Sequence, residues 1–124
     1  MRFITPKNHG ILDYLLVVFL LASPKLLEME PKATNFTYAL AIAYFILAVA
    51  TDYKPGIARV LPFSMHGVID LVLGVGLIIW GYSYFNTDPF AHVYYVWLGG
   101  AMLVMWLFTN YEKPKVKTPR RALS

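Results

Sequence analysis

One short stretch decides the fold because it occurs twice. It reads His9-Gly10-Ile11-Leu12-Asp13 and returns 57 positions later as His66-Gly67-Val68-Ile69-Asp70. A second stretch, Thr51-Asp52-Tyr53-Lys54-Pro55, returns loosely 58 positions later as Thr109-Asn110-Tyr111-Glu112-Lys113-Pro114. Each copy contains two long apolar runs, so the nearly equal offsets predict two tandem helical hairpins, with repeat 1 at about residues 1–58 and repeat 2 at about residues 59–110.

Composition identifies the class of protein. Hydrophobic residues make up 58% of the 124 residues and charged residues 15%, against roughly 45–50% and about 25% in soluble domains. Cysteine is absent, which excludes disulfides, Cys-ligated iron–sulfur clusters, thiolate nucleophiles and covalently attached c-type haem. The length fits one domain, and the composition is typical of an integral membrane protein.

Four apolar runs have the length of membrane spans, at about residues 9–27, 35–50, 65–84 and 92–108. A helix needs about 20 apolar residues to cross a bilayer, and lipid-exposed backbone must satisfy its own hydrogen bonds. We therefore predict an all-α fold of four transmembrane helices in contact with the lipid bilayer. Thr5 is a predicted N-cap of the first helix, and Ser64 is an alternative cap for the third.

Basic residues predict the orientation. Nine of them lie on the side of the two termini and of the central loop, and that side should be cytoplasmic. They are Arg2, Lys7, Lys54, Arg59, Lys113, Lys115, Lys117, Arg120 and Arg121. Residues 111–124 read as a disordered basic tail, which either contacts anionic lipids or only enforces the orientation. A nucleic-acid role is not indicated, because no folded basic face with stacking aromatics is apparent.

The repeated motif places polar residues at one membrane level. His9 and Asp13 are four residues apart and share a helix face, and the second copy does the same. An acid inside a membrane is costly and should face the bundle interior with a partner. A structural polar cluster is therefore predicted, to which the second and fourth helices contribute further residues. Its members are Asp13, Asp70, Thr51, Asp52, Thr109 and Asn110.

Four interpretations of this cluster stay open. In the favoured one it is structural: Asp13 and Asp70 accept hydrogen bonds from backbone, Thr, Tyr or Arg59, and the histidines orient the hairpins. In the second, His9, Asp13, His66 and Asp70 bind a Zn, Mn or non-haem Fe ion. In the third, His9 and His66 are axial ligands of haem b. In the fourth, the acids and imidazoles carry protons or a small solute.

Other signals are weaker. Small residues that allow close helix packing in lipid lie on the third and fourth helices, at Gly67, Gly74, Gly81, Gly99 and Gly100. His92 begins the fourth run without a repeat partner and is interpreted as an interfacial residue. We find no phosphate-binding loop, nucleophile elbow or zinc-protease motif, so no catalytic residue and no cofactor is predicted and an enzyme is the less favoured interpretation.

Several stretches resemble the SPW-repeat family of small four-helix membrane proteins, over about residues 9–110. The resemblance is carried by Leu21-Ala22-Ser23-Pro24, Thr51-Asp52-Tyr53, Pro62 with His66-Gly67 and Asp70, and Trp80-Gly81-Tyr82. Lys25 stands where the first motif of the family has tryptophan. The resemblance implies a bacterial integral protein, and hence an inner-membrane location, and it brings no assigned activity.

The sequence thus predicts a protein that acts by association, as a homo-oligomer or as an accessory subunit of a membrane complex. The glycine-bearing third and fourth helices are the predicted contact surface. The alternative is a cofactor-, metal- or proton-handling membrane protein that uses the duplicated His/Asp cluster.

Overall fold

The computed structural model describes residues 2–111. It contains four long helices and two very short strands. In chain order these are α1 (Pro6–Leu26), α2 (Pro31–Ala50), β1 (Thr51–Asp52), β2 (Leu61–Pro62), α3 (Phe63–Ser83) and α4 (Pro89–Phe108). The predicted all-α fold with four spans is therefore confirmed. The predicted basic tail, apart from Tyr111, lies outside the described residues.

Helix starts follow proline and capping chemistry. Thr5 caps α1 as predicted, because its side-chain oxygen accepts a hydrogen bond from the Asn8 amide at 3.2 Å. The prediction for Ser64 is wrong: α3 begins earlier, at Phe63, and Pro62 is its N-cap. α2 also begins four residues before the predicted start, at Pro31, because proline is favoured in a first turn whose amides have no partner within the helix.

All four helices match a bilayer in length and polarity. They have 20 or 21 residues, and their most apolar windows have mean hydropathies of 1.4 to 1.8. Large apolar side chains also cover their outward faces, among them Leu15, Val18, Ile46, Val72 and Trp97. A water-soluble bundle would instead carry polar residues on that surface. The outward faces are thus suited to contact with lipid.

The most extensive helix packing is within each hairpin, α1 against α2 and α3 against α4. The contact of α3 with α4 depends on two facing glycines. A Cβ atom on Gly99 would lie 2.5 Å from the Gly74 carbonyl oxygen, and one on Gly81 would lie 3.0 Å from the His92 carbonyl oxygen. Gly100, which follows Gly99 in the sequence, points away from α3: no described atom lies within 4 Å of its Cβ position. These glycines let the two backbones approach closely.

Two small parallel bridges join the hairpins at one end of the bundle. Thr51, after α2, pairs with Leu61, before α3. Ile4, before α1, pairs in the same way with Thr109, after α4. The Ile4 amide donates to the Phe108 carbonyl and the Asn110 amide donates to the Ile4 carbonyl, both at 2.9 Å. We call this the strand end, and the opposite end, with both interhelical turns, the hairpin end.

The interior divides into a polar part at the strand end and an apolar part toward the hairpin end. Apolar side chains from all four helices form one core cluster, which includes Val17, Leu20, Ala41, Leu77, Leu98 and Met102. The hydroxyls of Thr37 and Tyr95 hydrogen-bond within this half, and Tyr95 donates onward to the Ala33 carbonyl at 3.1 Å. The duplication stays a prediction, although both copies place their His-Gly-x-x-Asp motif in the polar part.

Candidate metal centre

The two motifs meet at the strand end. His9, Asp13, His66 and Asp70 each offer one ligand atom, and these four atoms all lie within 4.8 Å of one another. The four residues are at most 1% exposed. Their convergence follows from the i, i+4 spacing, which aims both side chains of a motif along one helix face, and from α1 and α3 presenting those faces to each other.

Nitrogen and carboxylate oxygen alternate around the centre of the cluster. His9 Nε2 lies 3.0 Å from Asp70 Oδ2 and 3.2 Å from Asp13 Oδ1. His66 Nε2 lies 3.1 Å from Asp13 Oδ2 and 3.2 Å from Asp70 Oδ2. Each imidazole therefore faces both carboxylates, one from its own helix and one from the other hairpin.

Threonines fix the tautomer of both imidazoles. Thr51 donates its hydroxyl to the Leu47 carbonyl at 2.6 Å, so its oxygen must accept from the Nδ1–H of His66 at 2.7 Å. Thr109 donates in the same way to the Met105 carbonyl at 2.6 Å and accepts from His9 Nδ1 at 2.8 Å. With Nδ1 protonated, each Nε2 either carries a lone pair or belongs to an imidazolium ion.

Three tyrosines donate to the carboxylates. Tyr44, on α2, bridges the two acids, with its hydroxyl 3.0 Å from Asp13 Oδ1 and 2.6 Å from Asp70 Oδ1. Tyr53 donates to Asp13 Oδ2 at 2.9 Å, and Tyr111 lies 3.4 Å from Asp70 Oδ2. These bonds orient the carboxylates and stabilise their ionised form.

Burial further stabilises the protonated form of the two outer tyrosines. It raises the pKa of Tyr53, and the nearby Asp13 carboxylate raises it further. Burial likewise raises the pKa of Tyr111, with an added contribution from Asp70. Both hydroxyls therefore remain hydrogen-bond donors at neutral pH.

An aromatic cover, formed by Tyr53, Phe63 and Tyr111, closes the strand end over the cluster. Phe63 lies between the tyrosines, with ring centroids 5.5 Å from Tyr53 and 4.7 Å from Tyr111. Each tyrosine rests on the glycine of one motif: a Cβ on Gly67 would lie 2.8 Å from the Tyr111 ring, and one on Gly10 would lie 3.1 Å from the Tyr53 ring. A larger residue at Gly67 would displace Tyr111, and one at Gly10 would meet Pro55 at 2.7 Å as well as Tyr53.

The donor set fits a divalent transition metal. Zinc binds imidazole nitrogen and carboxylate oxygen at about 2.0–2.2 Å, which places ligands of a tetrahedral site roughly 3.3 Å apart. Asp70 Oδ2 lies 3.0 Å from His9 Nε2 and 3.2 Å from His66 Nε2, which is close to that spacing, and Asp13 offers a different oxygen to each histidine at 3.2 and 3.1 Å. Two carboxylates and two neutral imidazoles also balance the charge of one divalent cation. The threonine and tyrosine bonds are the kind of second shell that orients metal ligands.

His66 carries the most specific signal. Its Nε2 is fully buried and lies near two carboxylate oxygens, yet among residues 2–111 it has no partner with hydrogen-bond geometry. An imidazolium here would lie beside both carboxylates, at 3.1 and 3.2 Å, but its N–H would point at neither oxygen. A lone pair directed between the oxygens, toward a shared cation, accounts for the same geometry.

Haem b and Arg59, which were also predicted to interact with the cluster, fit it less well. A porphyrin has no room between His9 and His66, because the carboxylate oxygens that contact both Nε2 atoms fill that space. Arg59, a predicted partner of the acids, instead donates to the carbonyls of Gly56 at 3.1 Å and Lys54 at 2.7 Å. Those bonds close the turn between β1 and β2.

Of the six residues in the predicted structural polar cluster, four lie in it and two do not. Asp13, Asp70, Thr51 and Thr109 are buried there, whereas Asp52 and Asn110 are exposed. The alternation of β1 accounts for Asp52, since neighbouring residues of a strand point to opposite sides.

The tyrosines were not among the predicted site residues. The sequence could have indicated Tyr53 and Tyr111 as site residues, because they occupy equivalent places in the two copies of the second repeated stretch. It gave no such indication for Tyr44, because Tyr44 stands inside an apolar run and Met102 occupies the equivalent place at the same offset of 58.

Comparison with known proteins adds no assignment: no protein-family model, no curated protein and no solved structure matches the chain. The SPW-repeat resemblance therefore stays a prediction, and the function must be argued from the site.

Proposed function

We propose that this chain is a metal-binding integral membrane protein that holds one divalent first-row transition-metal ion between its two hairpins. The observation that carries the proposal is the convergence of two Nε2 atoms and two carboxylates at nitrogen–oxygen distances of 3.0 to 3.2 Å. The ligands would be His9, Asp13, His66 and Asp70. Nitrogen and oxygen donors without thiolate favour Zn²⁺, Mn²⁺ or Fe²⁺ over soft ions such as Cu⁺.

Metal binding also explains why two acids are retained inside a membrane protein. A buried carboxylate is costly unless it is paired or coordinates a metal. Here the ion would neutralise both acids and join α1 to α3, which belong to different hairpins. The site would thus stabilise the bundle as well as bind the ion, because binding energy of a metal adds to folding energy.

Zn²⁺ binding to the purified protein tests the proposal. The chain, stripped with a chelator in detergent, should take up one Zn²⁺ per chain when this is measured by elemental analysis and calorimetry. The H66A and D70N variants should each lose Zn²⁺ affinity by more than roughly 10–100-fold, the usual effect of removing a residue that hydrogen-bonds a metal ligand. The H92A variant is the matched control: His92 lies at the hairpin end, where Nδ1 is 2.7 Å from the Gly81 carbonyl, so its affinity should equal that of the wild type.

Wild-type protein that is folded by circular dichroism and binds no stoichiometric Zn²⁺, Mn²⁺ or Fe²⁺ would overturn the proposal. The cluster would then be structural, as in the favoured interpretation of the sequence. Binding that persists in H66A and D70N would overturn the assignment of the ligands.

The finer predictions from the sequence are retained as part of the proposal. Cytoplasmic termini are supported by the basic residues at the strand end, Arg2, Lys7, Lys54 and Arg59. A bacterial inner membrane is supported by the SPW-repeat resemblance alone. Self-association or a role as an accessory subunit is compatible with a bound metal. Gly74 and Gly99 already pack against each other inside the chain. An interface with another protein would therefore use the outward faces of α3 and α4, including Gly100.

A further inference from the structure

The buried ion of the proposed function needs a route to water. Toward the hairpin end the route is closed by the apolar core, to which all four helices contribute. Sideways it meets the apolar outer faces of the helices and then lipid. A divalent ion does not cross such layers. Among residues 2–111, the aromatic cover lies between the cluster and the strand end.

Within that cover, Tyr53 is firmly anchored. It is 5% exposed, its hydroxyl donates to Asp13 at 2.9 Å, and its backbone lies in the turn that follows β1. The Gly56 amide donates to its carbonyl at 2.8 Å and its own amide donates to the Thr51 carbonyl at 3.0 Å. The Tyr53 side chain is thus held by its burial and by the bond to Asp13, and its backbone is held by the turn.

Tyr111 is held less tightly. Its hydroxyl is 3.4 Å from Asp70 Oδ2, the longest of the tyrosine–carboxylate distances, and its side chain is only half-buried. The backbone is fixed one residue earlier, where the Asn110 amide donates to the Ile4 carbonyl at 2.9 Å. Rotation about the Tyr111 side chain would uncover Asp70 and His9 without breaking the bridge between Ile4 and Thr109.

We propose that Tyr111 is the movable part of the aromatic cover and that the metal ion enters and leaves the cluster past its ring. Gly67 permits the closed position, because its missing side chain leaves the space in which the ring lies. Tyr53 and Phe63 stay in place and complete the closed state. The inference rests on the proposed function, and it makes the site one that exchanges its ion with a single side of the membrane.

Exchange kinetics of Zn²⁺ test this role. Uptake by stripped protein in detergent and release to an excess of chelator are followed by stopped flow. In Y111A both rate constants should rise by about tenfold or more, as expected when a closing segment is removed. The dissociation constant should change less than either rate constant, because a cover that blocks entry also blocks exit. Y111F keeps the ring and should stay closer to the wild type.

G67A provides a second route to the same result. An alanine Cβ would lie 2.8 Å from Tyr111 Cε1, so the ring must move away from its closed position while its hydroxyl is retained. G67A should therefore accelerate exchange as Y111A does. Y38A, at an exposed tyrosine of α2, is the control for loss of an aromatic side chain and should exchange at the wild-type rate.

The two proposals fail differently. Stoichiometric Zn²⁺ binding with unchanged rates in both Y111A and G67A would overturn the role of Tyr111 and leave the metal site standing. A wild-type protein that binds no metal would overturn the proposed function and this inference with it. Faster exchange in Y38A to the same extent would also count against a specific role for Tyr111.

Discussion

At the scale of single residues, each histidine of the cluster donates its Nδ1–H to a threonine of the opposite hairpin. Thr109, after α4, accepts from His9 on α1, and Thr51, after α2, accepts from His66 on α3. Because both threonine hydroxyls are already committed to helix carbonyls, they act only as acceptors from Nδ1. The Nε2 atom of each ring therefore faces the carboxylates at the centre of the cluster, where His9 Nε2 lies at hydrogen-bond distance from Asp70 Oδ2, 3.0 Å.

The first prediction at this scale concerns Thr109. Valine has nearly the same shape but cannot accept a hydrogen bond, so T109V leaves the Nδ1–H of His9 without a partner. Zn²⁺ affinity should fall by about 10–100-fold, the usual effect of losing a second-shell bond to a histidine ligand. Calorimetric titration of the purified variant measures the change.

Two further variants control this experiment. T109S keeps the hydroxyl and should retain most of the affinity. T87V makes the same substitution at an exposed threonine and should bind as the wild type does. Equal affinities in T109V and the wild type would show that Thr109 does not position His9.

How much of the site can be predicted from the sequence also differs from residue to residue. His9, Asp13, His66 and Asp70 were identifiable because polar residues inside apolar runs are costly and these recur at one offset. Tyr44 was not, since a tyrosine in an apolar helix is ordinarily a packing residue. Its role arises only because α2 brings its hydroxyl between two acids from other helices.

At the scale of elements, the two adjacent glycines of α4 have opposite environments. Gly99 faces the backbone of Gly74, whereas Gly100 faces outward. The sequence indicated both as packing residues, because a pair of adjacent glycines does not show which one turns toward the partner helix. The helix phase, which depends on where α4 begins, makes that distinction.

Alanine substitution at these adjacent positions gives a matched pair. G99A places a methyl group 2.5 Å from a carbonyl oxygen, and such overpacking should lower the free energy of unfolding by about 1–3 kcal/mol. G100A meets open space and should leave it unchanged or raise it by up to about 1 kcal/mol, as glycine replacement in a helix does. Denaturation by SDS, followed by circular dichroism, compares the two. Equal destabilisation would contradict the close contact of α3 with α4.

The bridges at the strand end are elements that sequence could not supply. Each joins very few residues, too few for an alternating pattern, and each depends on segments far apart in the chain. The helices were predictable because their long apolar runs admit one structure in lipid. The bridges form only after the helices bring the segments flanking them to the same end.

At the scale of the whole molecule, both bridges and the proposed metal site lie at the end that carries most of the basic residues among residues 2–111. Lys54 belongs to this end, in the turn between β1 and β2, whereas Asn86 belongs to the turn between α3 and α4 at the hairpin end. If the strand end is cytoplasmic, the proposed site exchanges metal with the cytoplasm. Orientation therefore decides which pool of ions the protein binds.

Cysteine labelling measures the orientation directly, because the native chain has no cysteine and each single-cysteine variant reports one position. In intact bacterial spheroplasts, a membrane-impermeant maleimide should label N86C and spare K54C, since Lys and Arg are retained on the cytoplasmic side. After permeabilisation both variants should react, which confirms that each side chain is accessible, as expected from the exposure of Lys54 and Asn86. Labelling of K54C before permeabilisation would invert the topology and would make the exchange past Tyr111 face the outside.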